Sequence, residues 1–125
     1  MELFLSLNGR IGRGKWWLAT IILTIVIIIL TLIMTVILAD TIAANLDPLT
    51  GIPSLGTLFL IYIPSLLSIW PSICISGKRY HDRNKSAWWL MIAFIPLIGA
   101  IWMLVELGFL KGTEGSNDFG SDPLA

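Results

Sequence analysis

Charge is what this sequence has least of. Asp, Glu, Lys and Arg together make up 13% of it, where a soluble domain carries roughly a quarter. A chain of 125 residues leaves much of its surface outside any core, and here 56% of residues are apolar and the mean hydropathy is +0.86. Such a surface excludes a small water-soluble globule and calls for lipid as the solvent. Cysteine is nearly absent. Cys74 alone excludes an intramolecular disulfide framework and a cysteine-based zinc motif, and in its apolar run it reads as a small hydrophobe. Histidine is equally scarce: His81 stands without metal-ligand spacing around it, so neither a metal nor a cofactor is expected. No serine-nucleophile pattern accompanies it, and a non-enzymatic protein is expected.

What charge there is lies unevenly. The chain is neutral overall, which gives no reason to expect a nucleic-acid partner. Yet seven of the eight basic residues fall in Arg10 to Lys15 and Lys78 to Lys85.

Between these islands run three uncharged stretches. Trp16 to Ala39 has 24 residues, enough at about 1.5 Å per residue to cross a hydrocarbon core of about 30 Å. Its β-branched residues would favour strands in water, but in lipid a lone segment satisfies its backbone only as a helix. It is too long for a signal-peptide apolar region, and no small-x-small cleavage site follows closely. Leu55 to Gly77 is a second stretch, interrupted by Pro64 and Pro71, so a bent helix packed on its neighbours is expected. Ser86 to Val105 is the third, 20 residues with Pro96 and Gly99 near the middle. It reads as a kinked crossing or a re-entrant hairpin, and the crossing is preferred because 20 residues are too few for two full spans. The expected fold is therefore an all-α, polytopic transmembrane protein, one membrane domain over 1–125. Its spans fall at about 16–39, 55–77 and 86–105, with a tail over 106–125. Leu3, Phe4, Leu7 and Ile11 recur at helical spacing and add a short N-terminal interfacial helix.

Basic residues set orientation. The first 15 residues carry three, the Asp40 to Ser54 loop none and the Lys78 to Ser86 loop four. The N-terminus and the Lys78 loop are expected in the cytosol. Three crossings would leave the tail outside, and a re-entrant third segment would return it to the cytosol. Trp16, Trp17, Trp88 and Trp89 are expected as anchors at the cytosolic interface.

The segment "KRYHDRNKSAWW" holds more chemistry than a topology signal needs. One reading is an anchor of cations against headgroups, with Asn84 or Ser86 capping the next helix. The other is an ordered polar site, with Arg79 gripping an anion through paired hydrogen bonds and Asp82 orienting His81. Adjacent residues on a helix point about 100° apart, which counts against a His81–Asp82 acid/base pair. "GRIGRG" lacks the strand and lysine of a phosphate loop, but Arg10 and Arg13 on flexible backbone suit lipid phosphates. A basic cytosolic-interface site of Arg10, Arg13, Arg79, His81, Asp82 and Arg83 that binds anionic lipid headgroups or a partner protein is the working expectation, with membrane lipids, a homo-oligomer or a membrane-protein partner as its counterparts. The alternative is a subunit of an oligomeric pore or small transporter, for which Thr20, Thr24, Thr31 and Thr35 lie on one helical face. Threonines also bond their own backbone. Glu106, at the end of the third stretch, reads as an interfacial carboxylate.

Four stretches together resemble a known family. "GRIGRGKWW" (Gly9 to Trp17), "KRYHDRNKSAWW" (Lys78 to Trp89), "IPLIG" (Ile95 to Gly99) and "GTEGSNDFGSDP" (Gly112 to Pro123) are similar to the family called domain of unknown function 805, small bacterial inner-membrane proteins. Lys78, Tyr80 and Ala87 depart from its usual Arg, Leu and Gly. The resemblance implies the bacterial inner membrane and singles out Arg79, His81, Asp82, Trp88, Trp89, Asn117, Gly120, Asp122 and Pro123. It implies no activity and gives none of these a role.

Overall fold

The computed structural model describes residues 2–125, and among them every regular element is helical. The first apolar stretch forms α2, Arg13–Ile37, with a mean hydropathy of 3.0 in its most apolar window. None of that window is buried inside the protein. A helix apolar all round and uncovered needs lipid against it.

Contacts divide the chain into two units, Leu23–Ile69 and the two flanking segments together. In the first, α2 ends and α3, Ala39–Ala44, comes next. A turn then begins where Asp47 Oδ1 accepts from the backbone N–H groups of Leu49 and Thr50 at 2.9 and 2.8 Å. Ser54 caps α4, Leu55–Ile61, by accepting from Thr57 N. The second stretch is broken as its prolines dictate. Pro64 sits in the first turn of α5, Ile63–Leu67, where its missing N–H costs no helical bond, and the chain bends by 55° between α4 and the helical segment Ile63–Asp82.

The second unit holds α1, Glu2–Leu5, the start of α2, and most of α6, Ile69–Asp82. The expected N-terminal interfacial helix is reduced to that one turn. The rest of the segment is tied along α6: Trp70 Nε1 donates to Leu5 O at 3.3 Å, Lys78 Nζ donates to Glu2 O, and Ile11 N donates to Lys78 O at 3.4 Å. Gly77 makes the approach possible, since a Cβ there would lie 2.7 Å from Leu7 Cδ2.

The third stretch departs from a single continuous helix and folds back. A 3₁₀ arm, Ala87–Phe94, is capped by Ser86 and gives way to a reversal at Ile95 to Leu97. The return arm is α7, Ile98–Met103, and a π-helical turn, Leu104–Phe109. Leu97 takes φ +64° to make the reversal, a conformation costly for a leucine. The arms touch backbone to backbone, because a Cβ on Gly99 would run into the Ile92 carbonyl. Eight residues at about 2 Å each reach about 16 Å, roughly half of a hydrocarbon core. Both ends of the stretch meet at Glu106, which accepts from Arg83 Nε at 3.1 Å and pairs with Lys85. The two ends of the stretch thus lie together, and the fold does not confirm three spans.

Candidate functional site

Asp82, the last residue of α6, is the centre of a closed ionic knot. On a helix, residues three apart are neighbours, so Arg79 reaches it directly and pairs with Oδ2. Arg10 arrives from the N-terminal segment and donates to Oδ1 through Nε at 3.2 Å and Nη2 at 3.0 Å. All three side chains are at most 4% exposed. Ions withdrawn from water this far are tolerated only when paired and hydrogen-bonded, and every guanidinium nitrogen of both arginines is indeed bonded. Arg79 gives Nε to Leu107 O at 2.8 Å and Nη2 to Leu110 O at 2.5 Å. Arg10 gives Nη2 to Thr113 O at 2.6 Å, and Nη1 to Gly115 O and Gly120 O at 2.7 and 3.1 Å.

The two arginines thereby clamp the chain from Leu107 to Gly120. Gly112 passes so close to Asp82 that a Cβ would collide with its carboxylate, and Thr113 N donates to Asp82 O at 2.7 Å. His81 lies on the other side of the helix end, as the 100° argument requires. Its ring stacks on Phe119 at 4.1 Å and 4°, its Nδ1 faces Gly9 O at 3.2 Å, and its carbonyl accepts from Asn117 Nδ2 at 2.8 Å. Asp82 does not orient it. Asn84, at φ +56°, exchanges hydrogen bonds with Asp118. Beyond it, Asp122 accepts from Leu124 N and Gly115 N, both at 2.9 Å. Those two backbone donors hold its carboxyl below the usual 3.8.

The anticipated residues thus separate into inner and outer sets. Arg10, Arg79 and Asp82 form the knot, and His81 is buried beside it against Gly9 and Phe119. Arg13 and Arg83 lie at its rim. Arg13 opens α2, is exposed, and gives Nη1 to Phe109 O at 2.9 Å; Arg83 is held by Glu106 and by Lys111 O. The tryptophans also divide. Trp16 is buried, edge-on to Trp17 at 5.0 Å, and Trp17 Nε1 donates to Gly108 O. Trp88 is exposed, and Lys85 Nζ stands 4.4 Å above the Trp89 ring. Thr35 bonds Thr31 O at 2.8 Å, the backbone use open to any threonine. Cys74 is fully buried, as a hydrophobe would be. Sequence reasoning missed Glu106 as the partner of Arg83 and Lys85. The signal was present: it is the one carboxylate bounding the third apolar stretch, and two cations bound the other end.

Fold and site together define a small all-helical protein whose single 25-residue apolar helix starts beside a buried ionic knot. A family model described as protein of unknown function, DUF805, matches residues 4–121, and the chain belongs to that family. Among curated proteins it is similar to the inner membrane protein YhaI of Escherichia coli K12, 29% identical over 121 residues, covering 96% of this chain and 87% of the relative. It is also similar to the inner membrane protein YhaH of the same organism, 38% identical over 69 residues, 54% of each chain. No solved structure matches.

Proposed function

We propose that this chain is a non-enzymatic bacterial inner-membrane protein that recognises phosphate-bearing lipid headgroups at the cytosolic face. The apolar helix α2 and the bent α4–α6 stretch make two crossings, the third stretch is re-entrant, and both termini are cytosolic. The names of its relatives and the asymmetry of basic residues support this placement. The knot of Arg10, Arg79 and Asp82, with His81, shapes the face, and Arg13 and Arg83 at its rim meet the lipid.

One observation carries the reading: Arg13 is the first residue of the apolar helix and is exposed there, so its guanidinium sits at headgroup depth. Guanidinium is the side chain best suited to phosphate, by paired hydrogen bonds. Native mass spectrometry of protein released from phospholipid nanodiscs tests it. The wild type retains phospholipid and Arg13→Ala/Arg83→Ala retains less. Equal retention overturns the reading, and loss of a co-purifying protein in place of lipid puts a protein partner in its stead.

A further inference from the structure

Beside the knot lies a cavity of about 170 Å³ whose wall carries both signs of charge. Arg13 and Lys111 line it as cations, Glu114 and Asp122 as carboxylates, and the Asp82 pair forms the floor beneath Gly112. Arg13, Lys111 and Glu114 are exposed. Asp122 is held rigidly by Gly115 N and Leu124 N, one on each oxygen, and a carboxylate so bound keeps lone pairs for further donors.

We infer that this cavity takes the zwitterionic headgroup of an aminophospholipid, with its phosphate between Arg13 and Lys111 and its primary ammonium between Glu114 and Asp122. The inference rests on the headgroup reading above and adds the lipid class. The two wall cations are matched one for one by the two wall carboxylates. A purely anionic headgroup would be drawn to the two cations but would offer no cation to Glu114 and Asp122. A phosphodiester joined by two carbons to an ammonium presents both signs at once. The ammonium also brings three N–H donors, which a quaternary choline lacks.

The test is competitive retention by the full chain in nanodiscs containing equal amounts of phosphatidylethanolamine, phosphatidylglycerol and phosphatidylcholine, read by native mass spectrometry. The wild type is expected to prefer phosphatidylethanolamine by about tenfold, the worth of one charge-assisted hydrogen bond. Arg13→Ala/Lys111→Ala retains less of all three lipids. Glu114→Gln removes only the ammonium side, and because Glu114 is exposed it leaves the tail folded; the preference then disappears while total retention persists. Asp122→Asn serves as a second variant, accepted only where its melting temperature matches the wild type. A wild type that prefers phosphatidylglycerol, or does not distinguish phosphatidylcholine, overturns the ammonium site and leaves the headgroup reading standing. No retained lipid overturns both. Retention of soluble glycerophosphoethanolamine in detergent, with no lipid preference in nanodiscs, overturns a lipid as the source.

Discussion

Arg10 donates two hydrogen bonds to one oxygen of Asp82, 72 residues further along the chain, at 3.2 and 3.0 Å. The contact joins the segment before the first apolar helix to the end of α6, and Arg10 then reaches on to the carbonyls of Thr113, Gly115 and Gly120. One guanidinium therefore holds three parts of the chain together.

Removing the carboxylate leaves two buried arginines without their counter-ion. Asp82→Asn is expected to destabilise the protein by about 3–5 kcal/mol, the usual cost of stranding a buried charge. Arg79→Lys should also destabilise, because an ammonium cannot reproduce three directed bonds from a planar fork. Thermal unfolding in detergent, followed by circular dichroism, measures both. A melting temperature unchanged by Asp82→Asn would refute the keystone role.

Two glycines are predicted to be irreplaceable for a different reason. Gly112→Ala drives a methyl group into Asp82, and Gly99→Ala drives one into the Ile92 carbonyl. The Ile92 backbone cannot yield as a flexible side chain can, and the Asp82 carboxylate is pinned by Arg10 and Arg79, so each should cost roughly 1–3 kcal/mol, as overpacking does. Gly56→Ala, inside α4 with nothing within 4 Å of the new atom, should instead stabilise by about 0.5–1 kcal/mol. The same melting assay ranks all three, and equal effects would contradict the geometry.

The tail carries a pH dependence whose sign comes from Asp122. Backbone N–H groups of Leu124 and then Gly115 hold its folded pKa below the usual 3.8. A depressed carboxylate contributes stability above its unfolded pKa and loses it as pH falls through the lower folded value. The Gly115 amide should thus stay protected at neutral pH and open in acid, below about pH 4. Hydrogen exchange at Gly115 checks this, and Asp122→Asn should flatten the dependence.

Sidedness separates two crossings from three. In a Cys74→Ser background, Asn8→Cys and Ser121→Cys should both react with a membrane-impermeant maleimide only from the cytosolic side. Thr50→Cys should react only from the other side. Labelling of Ser121→Cys from the periplasm would restore a third crossing.

Much of this protein was legible before folding. The length and hydropathy of Trp16 to Ala39 dictate a helix, because a lone segment in lipid has no other way to satisfy its backbone. The prolines at 64 and 71 announced a broken second stretch, and the breaks came at Tyr62 and Ser68. Arg79 and Asp82 stand three residues apart on one helix, so their pairing is local information. His81 pointing away from Asp82 is a consequence of the same period.

What the sequence by itself determined is the apolar character of the three stretches and the pairing of neighbours on one helix, since hydropathy and i,i+3 spacing act along the chain. Tertiary structure alone decided that the third stretch folds back, that Glu106 closes it on Lys85, and that Arg10 turns inward to Asp82 while Arg13, three residues on, stays at the rim. Arg10 and Arg13 are chemically alike, and no one-dimensional pattern tells a buried arginine from an exposed one. Which of them is buried depends on where an unpaired carboxylate and a run of free carbonyls lie in space. A buried charge is stable only when all of those partners arrive together.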